Sequence, residues 1–381
     1  MRNILQVSDT SIFVSTEDGL YIYNPVNTTY RSLHKEPMNP FSLSDNALYA
    51  LCKDREGGVW IGSYFGGVNY LANTALTFEK YFPTALPHSL SGNAIREITR
   101  DHSGRLWIGS EDGGLTMYDP LKNMFTRHIP DVTNGLSSTN VHGLLATGNQ
   151  LLVGTFEHGL DIMDIPSGKV TCHYRAGPGP YDLKSNFINK ILQMNDGRIL
   201  ICTAHGLFQF DVAKGRFHPV TALPVDAFYS AITLDEKGIV WVGTHNKGLF
   251  YFNNKDTASL KLSSDTANKL GRTRILYLMP DKNDHLWVCT IDGLFNIDLK
   301  SHTFRYYSQD EGLPSNIVYS IIKDNAGNYW IPTSHGLALL EESSKRSKPS
   351  GNMMDYLITS LTTSLHLKTP MARSTWGVLR A

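Results

Sequence analysis

Asp101-His102-Ser103-Gly104-Arg105-Leu106-Trp107-Ile108-Gly109-Ser110-Glu111-Asp112-Gly113-Gly114-Leu115 is the stretch from which the fold can be read. A polar turn from Asp101 to Gly104 opens onto a short apolar run, Leu106 to Gly109. A second glycine turn at Gly113-Gly114 restarts an apolar run at Leu115. Short apolar runs punctuated by glycine turns are hairpin grammar, with no 3.6-residue helical period.

The same grammar returns along the chain. Trp60-Ile61-Gly62, Trp107-Ile108-Gly109, Trp241-Val242-Gly243, Trp287-Val288-Cys289 and Trp330-Ile331-Pro332 are variants of one triplet, with degenerate copies at Phe13, Leu152 and Leu200. First members are spaced by 47, 47, 45, 48, 41, 46 and 43 residues, which makes eight copies of one unit. Asp235 to Gly238 and Asp324 to Gly327 repeat the first turn; Gly159-Leu160, Gly206-Leu207, Gly248-Leu249, Gly293-Leu294 and Gly336-Leu337 repeat the second. In the second unit the strands read Leu48–Cys52, Val59–Gly62, Val68–Leu71 and Phe78–Phe82. Four short strands per unit at this period predict an all-β fold, a β-propeller of eight recognisable four-stranded repeats, eight blades rather than seven. The tryptophan is expected to pack between neighbouring sheets, the glycine after it to meet a close backbone, and the glycine before leucine to supply positive φ.

Composition agrees with this reading. Hydrophobic residues are 41% and aromatics 10%, enough for a large core, while charged residues are only 18%. The 35 basic and 35 acidic residues cancel, so no net field points to nucleic acid or an anionic membrane surface. No run approaches the ~18 apolar residues of a membrane span, and the first residues show no signal-peptide pattern. Cys52, Cys172, Cys202 and Cys289 are far apart and are expected as buried small hydrophobes rather than a disulfide or metal set.

Gly312 to Ile331 and Asp101 to Gly109, with Gly113-Gly114-Leu115 and Tyr118-Asp119-Pro120, are similar to the two-component regulator propeller repeat. The resemblance covers about residues 1–341. It implies the periplasmic sensor region of a hybrid two-component histidine kinase, a part that commonly pairs two propellers with an Ig-like module, a membrane helix and kinase domains. Many such sensors respond to oligosaccharides. The expected partners are therefore an oligosaccharide or similar small ligand, and a second propeller or downstream kinase domains in a longer gene product. Kinase activity is not carried over, since no matching residues are present. No cofactor and no metal are expected.

Residues 342–381 leave the grammar and are expected not to pack as a blade. Read from the third base of each codon, Asn352-Met353-Met354-Asp355-Tyr356-Leu357 yields Asp-Gly-Leu, and Trp376-Gly377 yields another obligatory glycine. A ninth repeat in another reading frame, shifted near Glu341–Gly351, is the expectation from the genetic code.

The loops between second and third strands, with those entering each first strand, are where a propeller gathers ligand contacts. The candidate ligand-binding residues there are Tyr64, Phe65, Phe156, His158, Tyr181, Tyr229, His245, Arg272 and His335. Glu111, Asp112, Glu157, His205, Asn246, Lys247, Asp292 and Arg274 share these loops. Aromatic faces suit sugar rings and forked polar groups suit vicinal hydroxyls, which favours a glycan fragment. Asn46, Asn93, Asn140, Asn186 and Asn316 recur before the first strand, where Asx-turn bonding is the economical role. A sialidase-type Asp-box fails, because Asp101 lies three residues before Gly104 instead of two. Three functions stay open: a ligand-sensing propeller, a protein-interaction propeller, and a glycan lyase or hydrolase built on Glu111, Asp112 and Glu157.

Overall fold

In a computed structural model, residues 1–36, 39, 42–55, 57–71, 81–84, 88–130, 135–253, 257–259, 270–282 and 284–340 are described. The expected strand at residues 78–82 falls largely outside them, and the non-repeat tail with its frame shift falls entirely outside them.

Eight antiparallel sheets are found among the described residues, one per repeat, each a meander in which sequence neighbours pair. Two compact units contain them, Met1–Glu79 and Lys80–Ala381. The smaller unit holds the first sheet (Asn3–Ser8, Ser11–Thr16, Gly19–Asn24, Thr29–Leu33) and the second (Leu48–Lys53, Val59–Ser63, Val68–Leu71). The larger unit begins with the third sheet (Ile95–Arg100, Leu106–Ser110, Gly114–Asp119, Met124–His128) and the fourth (Val141–Thr147, Gln150–Thr155, Leu160–Asp164, Lys169–Tyr174). The fifth is Ile188–Gln193, Ile199–Thr203, Gly206–Asp211 and Arg216–Pro219; the sixth is Tyr229–Leu234, Val240–Thr244, Leu249–Phe252 and Thr257–Ser259. The seventh is Ile275–Asp281, His285–Thr290, Gly293–Asp298 and Phe304–Tyr307, and the eighth Ile322–Lys323, Tyr329–Thr333 and Gly336–Leu340.

The core lies between consecutive sheets of a unit. Ile162 of the fourth packs with Ile191 and Phe208 of the fifth, and Cys202 of the fifth with Tyr229 and Val242 of the sixth. Second strands covered on both faces are buried throughout, as at Ile199–Thr203 and Val240–Thr244, which is why they read as unbroken apolar runs rather than alternating ones.

The repeat's two most visible residues form one device. The indole Nε1 donates to the aspartate that opens the preceding turn: Trp107 to Asp101 at 3.0 Å, Trp241 to Asp235 at 2.9 Å, Trp287 to Asp281 at 3.4 Å and Trp330 to Asp324 at 3.0 Å. Trp107, Trp241 and Trp287 are buried against the following sheet, as expected. Trp60 departs from this with 47% exposure, although it still donates to Asp54 at 3.2 Å. At Gly109 and Gly243 the glycine after the tryptophan is approached by a branched side chain of the next sheet, not by backbone, whereas Gly62 meets only Ala50 of its own sheet. A Cβ would stand 2.6 Å from Val141 at Gly109 and 2.4 Å from Ile275 at Gly243. The glycine before leucine has φ of 79° at Gly114, 89° at Gly159 and 94° at Gly293, as the hairpin requires.

Two expectations are corrected. All four cysteines are free, but only Cys202 and Cys289 are buried; Cys52 and Cys172 are exposed on strands with an open face. Three of the five recurrent asparagines bridge repeats instead of closing their own turns. Asn46, Asn186 and Asn316 Oδ1 accept from the N–H of Lys35, Ala176 and Gln309, while their carbonyls accept from Gly19, Gly159 and Gly293 of the preceding sheet. The local turn bond falls to a serine nearby: Ser185 takes the N–H of Phe187, and Ser315 that of Ile317.

Candidate functional site

Three backbone devices aim side chains at the end of the sheets where first strands begin. The first is a bulge. Register shifts at Ile95/Glu97, Val141/Gly143, Ile188/Lys190, Tyr229/Ala231 and Ile275/Tyr277 leave Arg96, His142, Asn189, Ser230 and Leu276 opposite no partner. Such an extra residue bends the strand and re-aims its side chain. The second clamps the loop after the second strand onto the residue before the first. N–H groups of Glu111, Phe156, His245 and Ile291 donate to the carbonyls of Ala94, Asn140, Phe228 and Arg274 at 2.8, 3.1, 3.1 and 3.2 Å. The third is a hydroxyl at the end of the second strand. Thr155, Thr203, Thr244, Thr290 and Thr333 donate to the carbonyl of the hairpin glycine and accept from a loop N–H. Rigid loops are the result, so side chains there are presented at little entropic cost.

In the larger unit these positions converge, because the first strands of consecutive sheets from the third to the seventh lie side by side. An aromatic wall forms: His142 lies 4.9 Å from Phe187 and 5.5 Å from Phe156, Phe187 lies 5.2 Å from Phe228, and Phe228 stacks on His245 with centroids 3.5 Å apart. Charged groups stand beside it. Arg96 approaches Glu111 at 3.4 Å and the Asn189 amide oxygen at 3.5 Å; His142 Nε2 lies 3.7 Å from Glu111. Lys190 pairs with the buried Glu97. Asn189 donates to the carbonyl of Ser230 at 2.7 Å, which locks the wall across two sheets.

The electrostatics are set by burial under a positive field. Burial, then the Arg96 charge, lowers the His142 imidazole to about 3, with Lys190 and Arg274 adding to the effect against the Asn189 hydrogen bond. Burial, then Arg274 and Arg96, lowers His245 to about 4. Both rings are neutral at physiological pH. Burial and then Arg96 also lower Arg274, against the pull of Glu111.

Of the residues singled out in the sequence, Phe156 and His245 join this wall, with Glu111 and Arg274 of the same loops beside it. His158 and Arg272, on the same loops as Phe156 and Arg274, are exposed, and His335 is exposed, bonding Ser334 at 3.0 Å. Tyr229 is fully buried, its hydroxyl donating to the Pro224 carbonyl at 2.7 Å. Tyr181 packs against His218 and Arg216 of the fifth sheet's last strand. Tyr64 and Phe65 belong to the smaller unit. There Tyr64 stacks on Tyr49 at 5.2 Å and Phe65, 86% exposed, donates its N–H to Asp45. Asp112 accepts from the backbone of Asn93 and Ala94 at 3.0 and 3.2 Å, so it serves the loop.

Sequence reading missed Arg96, His142, Asn189, Phe187 and Phe228. Their signal was positional: chemically diverse residues one place after, or one place before, the buried apolar residue that opens each of these first strands.

Elsewhere in the larger unit a cleft of about 470 Å³ opens beside Asp281, Lys323 and Tyr329. Its central carboxylate already accepts from Trp287, Tyr329 and Lys323, so it holds the Asp–Trp device together. No helix among the described residues is long and apolar enough to cross a membrane.

Residues 42–65, 89–112 and 312–333 match the family model of the two component regulator propeller. The extracellular domain of the putative hybrid two component system BT4673 from B. thetaiotaomicron is similar in structure, with a TM-score of 0.58 and 19% identity over 90% of this chain and 52% of that one. The corresponding domain of BT3049 from the same organism gives 0.53 and 21% over 92% and 52%. This chain thus spans about half the length of those structures. No curated protein matches it.

Proposed function

We propose that this chain is an extracytoplasmic ligand-sensing part of a two-component regulator, and that it binds a glycan fragment non-covalently at the first-strand ends of the larger unit. The observation that carries the reading is the wall of Phe156, Phe187, Phe228, His142 and His245 beside Arg96, Glu111 and Asn189. Flat rings accept the apolar face of a sugar, and fixed polar forks at its edge accept hydroxyls. The family match and the likeness to extracellular domains of two component systems support the sensing role and the location outside the cytoplasm. Periplasmic placement and onward coupling to a second propeller or kinase domains belong to the same proposal.

The reading as binding without turnover is supported by how three of the carboxylates are used. Glu97 is paired with Lys190, Glu111 with Arg96, and Asp112 with loop N–H groups. A bound ligand acts by favouring one arrangement of domains over another, which requires different affinities for the two. Calorimetry against an oligosaccharide panel tests the reading: Phe156→Ala and Phe228→Ala should each weaken binding about tenfold, roughly 1.4 kcal/mol. Phe65→Ala reports whether the aromatic group of the smaller unit contributes. Absence of binding by the folded parent, or binding indifferent to both wall substitutions, would refute it.

A further inference from the structure

Where the first strands of the third, fifth and seventh sheets begin, positive charge exceeds negative. Lys190 and Glu97, both nearly buried, neutralise one another. Glu111 is engaged by Arg96 and faced by His142. Arg274 is left over. Its Nε is buried with no hydrogen-bond partner among the described residues, and it forms no ion pair there. The Glu111 carboxylate, which attracts it, is already shared. The two neutral imidazoles supply no counter-charge, and each has a buried ring nitrogen without a partner, His142 Nδ1 and His245 Nε2. Leaving a guanidinium Nε and two ring nitrogens unsatisfied around these strand ends is costly in a finished core. It is the expected state of a site that a ligand completes. Arg96 and Glu111 reach solvent, with side-chain exposures of 24% and 38%, so the place is accessible.

We infer that Arg274 and Arg96 form a receptor for an anionic oxygen fork on the ligand, a carboxylate or a sulfate, set against the aromatic wall. The inference rests on the glycan-binding reading of the same face and narrows it to an acidic glycan. Planar guanidinium groups match such forks in geometry as well as charge. The neutral histidines add a donor and an acceptor for neighbouring hydroxyls.

Three probes on one sugar skeleton test it: galactobiose, digalacturonic acid and 6-sulfated galactobiose, titrated into the parent, Arg274→Gln and Arg274→Lys. An acidic probe should bind about tenfold or more tighter than galactobiose, the worth of one charge-assisted contact, with the advantage shrinking as salt is raised. Arg274→Gln should erase the preference, and Arg274→Lys should keep only part of it. Preference for digalacturonic acid identifies the fork as a carboxylate; preference for the sulfated sugar identifies sulfate. Equal affinity for all three, or a preference that survives Arg274→Gln, overturns the anion inference and leaves glycan binding standing. Should none bind while another neutral glycan of the calorimetric panel does, the anion inference again falls alone; if nothing binds, both readings fall. Independently of any sugar, the Arg274 Nε–H resonance should shift saturably with inorganic sulfate and not with chloride. A resonance indifferent to sulfate counts against the receptor.

Discussion

Replacing Asp101 by alanine isolates the device that makes each repeat a repeat. The Asp101 carboxylate accepts from Ser103 and Arg105 N–H at 2.9 and 3.1 Å, from Arg105 Nε at 2.8 Å and from Trp107 Nε1 at 3.0 Å. Burial works against its charge, but the bonds from Trp107 and Arg105 outweigh it and hold the group below the usual carboxylate range. In Asp101→Ala the exposed turn can hand its two N–H groups to water. Trp107 cannot, being 1% exposed. One stranded donor costs about 1–3 kcal/mol, and the lost charge-assisted bonds add about 1–2 kcal/mol, so the substitution should destabilise the larger unit by about 3–4 kcal/mol. Asp54→Ala removes the equivalent bond to an indole that is 47% exposed and reaches water. It should cost about 1 kcal/mol. Urea unfolding followed by tryptophan fluorescence and circular dichroism measures both, fitted unit by unit because two compact units need not unfold together. Trp107→Phe in the Asp101→Ala background should recover part of the loss, since it deletes the stranded donor. Equal costs for Asp101→Ala and Asp54→Ala, or no recovery with Trp107→Phe, would show that burial of the indole does not set the magnitude.

Gly243→Ala should cost about 1–3 kcal/mol by overpacking, because its Cβ would sit 2.4 Å from Ile275 Cγ2. Gly62→Ala, whose nearest neighbour is Ala50 Cβ at 3.4 Å, should be near neutral by thermal melt; a costly Gly62→Ala alongside a neutral Gly243→Ala would contradict this packing. Stability should fall as pH drops from about 6.5 towards 4, since His142 and His245 are lowered to about 3 and about 4 and stay neutral while the unfolded chain takes up protons. Each contributes up to about 1.4 kcal/mol per pH unit across that window; losses below it belong to carboxylates such as Asp101 and Asp281. His142→Gln should flatten the slope, and a melting temperature constant from pH 6.5 to 5 would rule the account out.

The repeat, the strand order and the turn chemistry are legible in the residues alone, because these depend on residues within about ten positions of one another. Positive φ at Gly114 or Gly293 and the register of the hairpins are local requirements. Even the Asp–Trp bond spans only six residues, from Asp101 to Trp107. The loop residues Phe156 and His245 were legible for the same reason, since the turn that carries them is part of the repeat. Which diverse side chains meet is settled by packing between sheets. Arg96 touches Asn189 across 93 residues, and Asn189 reaches Ser230 across 41. Those contacts exist because a one-residue bulge at the start of the first strands of the third to seventh sheets turns a side chain that strict alternation would place elsewhere. Tertiary packing likewise took Tyr229 out of the loop surface into the core, and left Trp60 exposed where Trp107 is buried. Burial is a property of what lies on the far side of a sheet, and no residue encodes its neighbour across that gap.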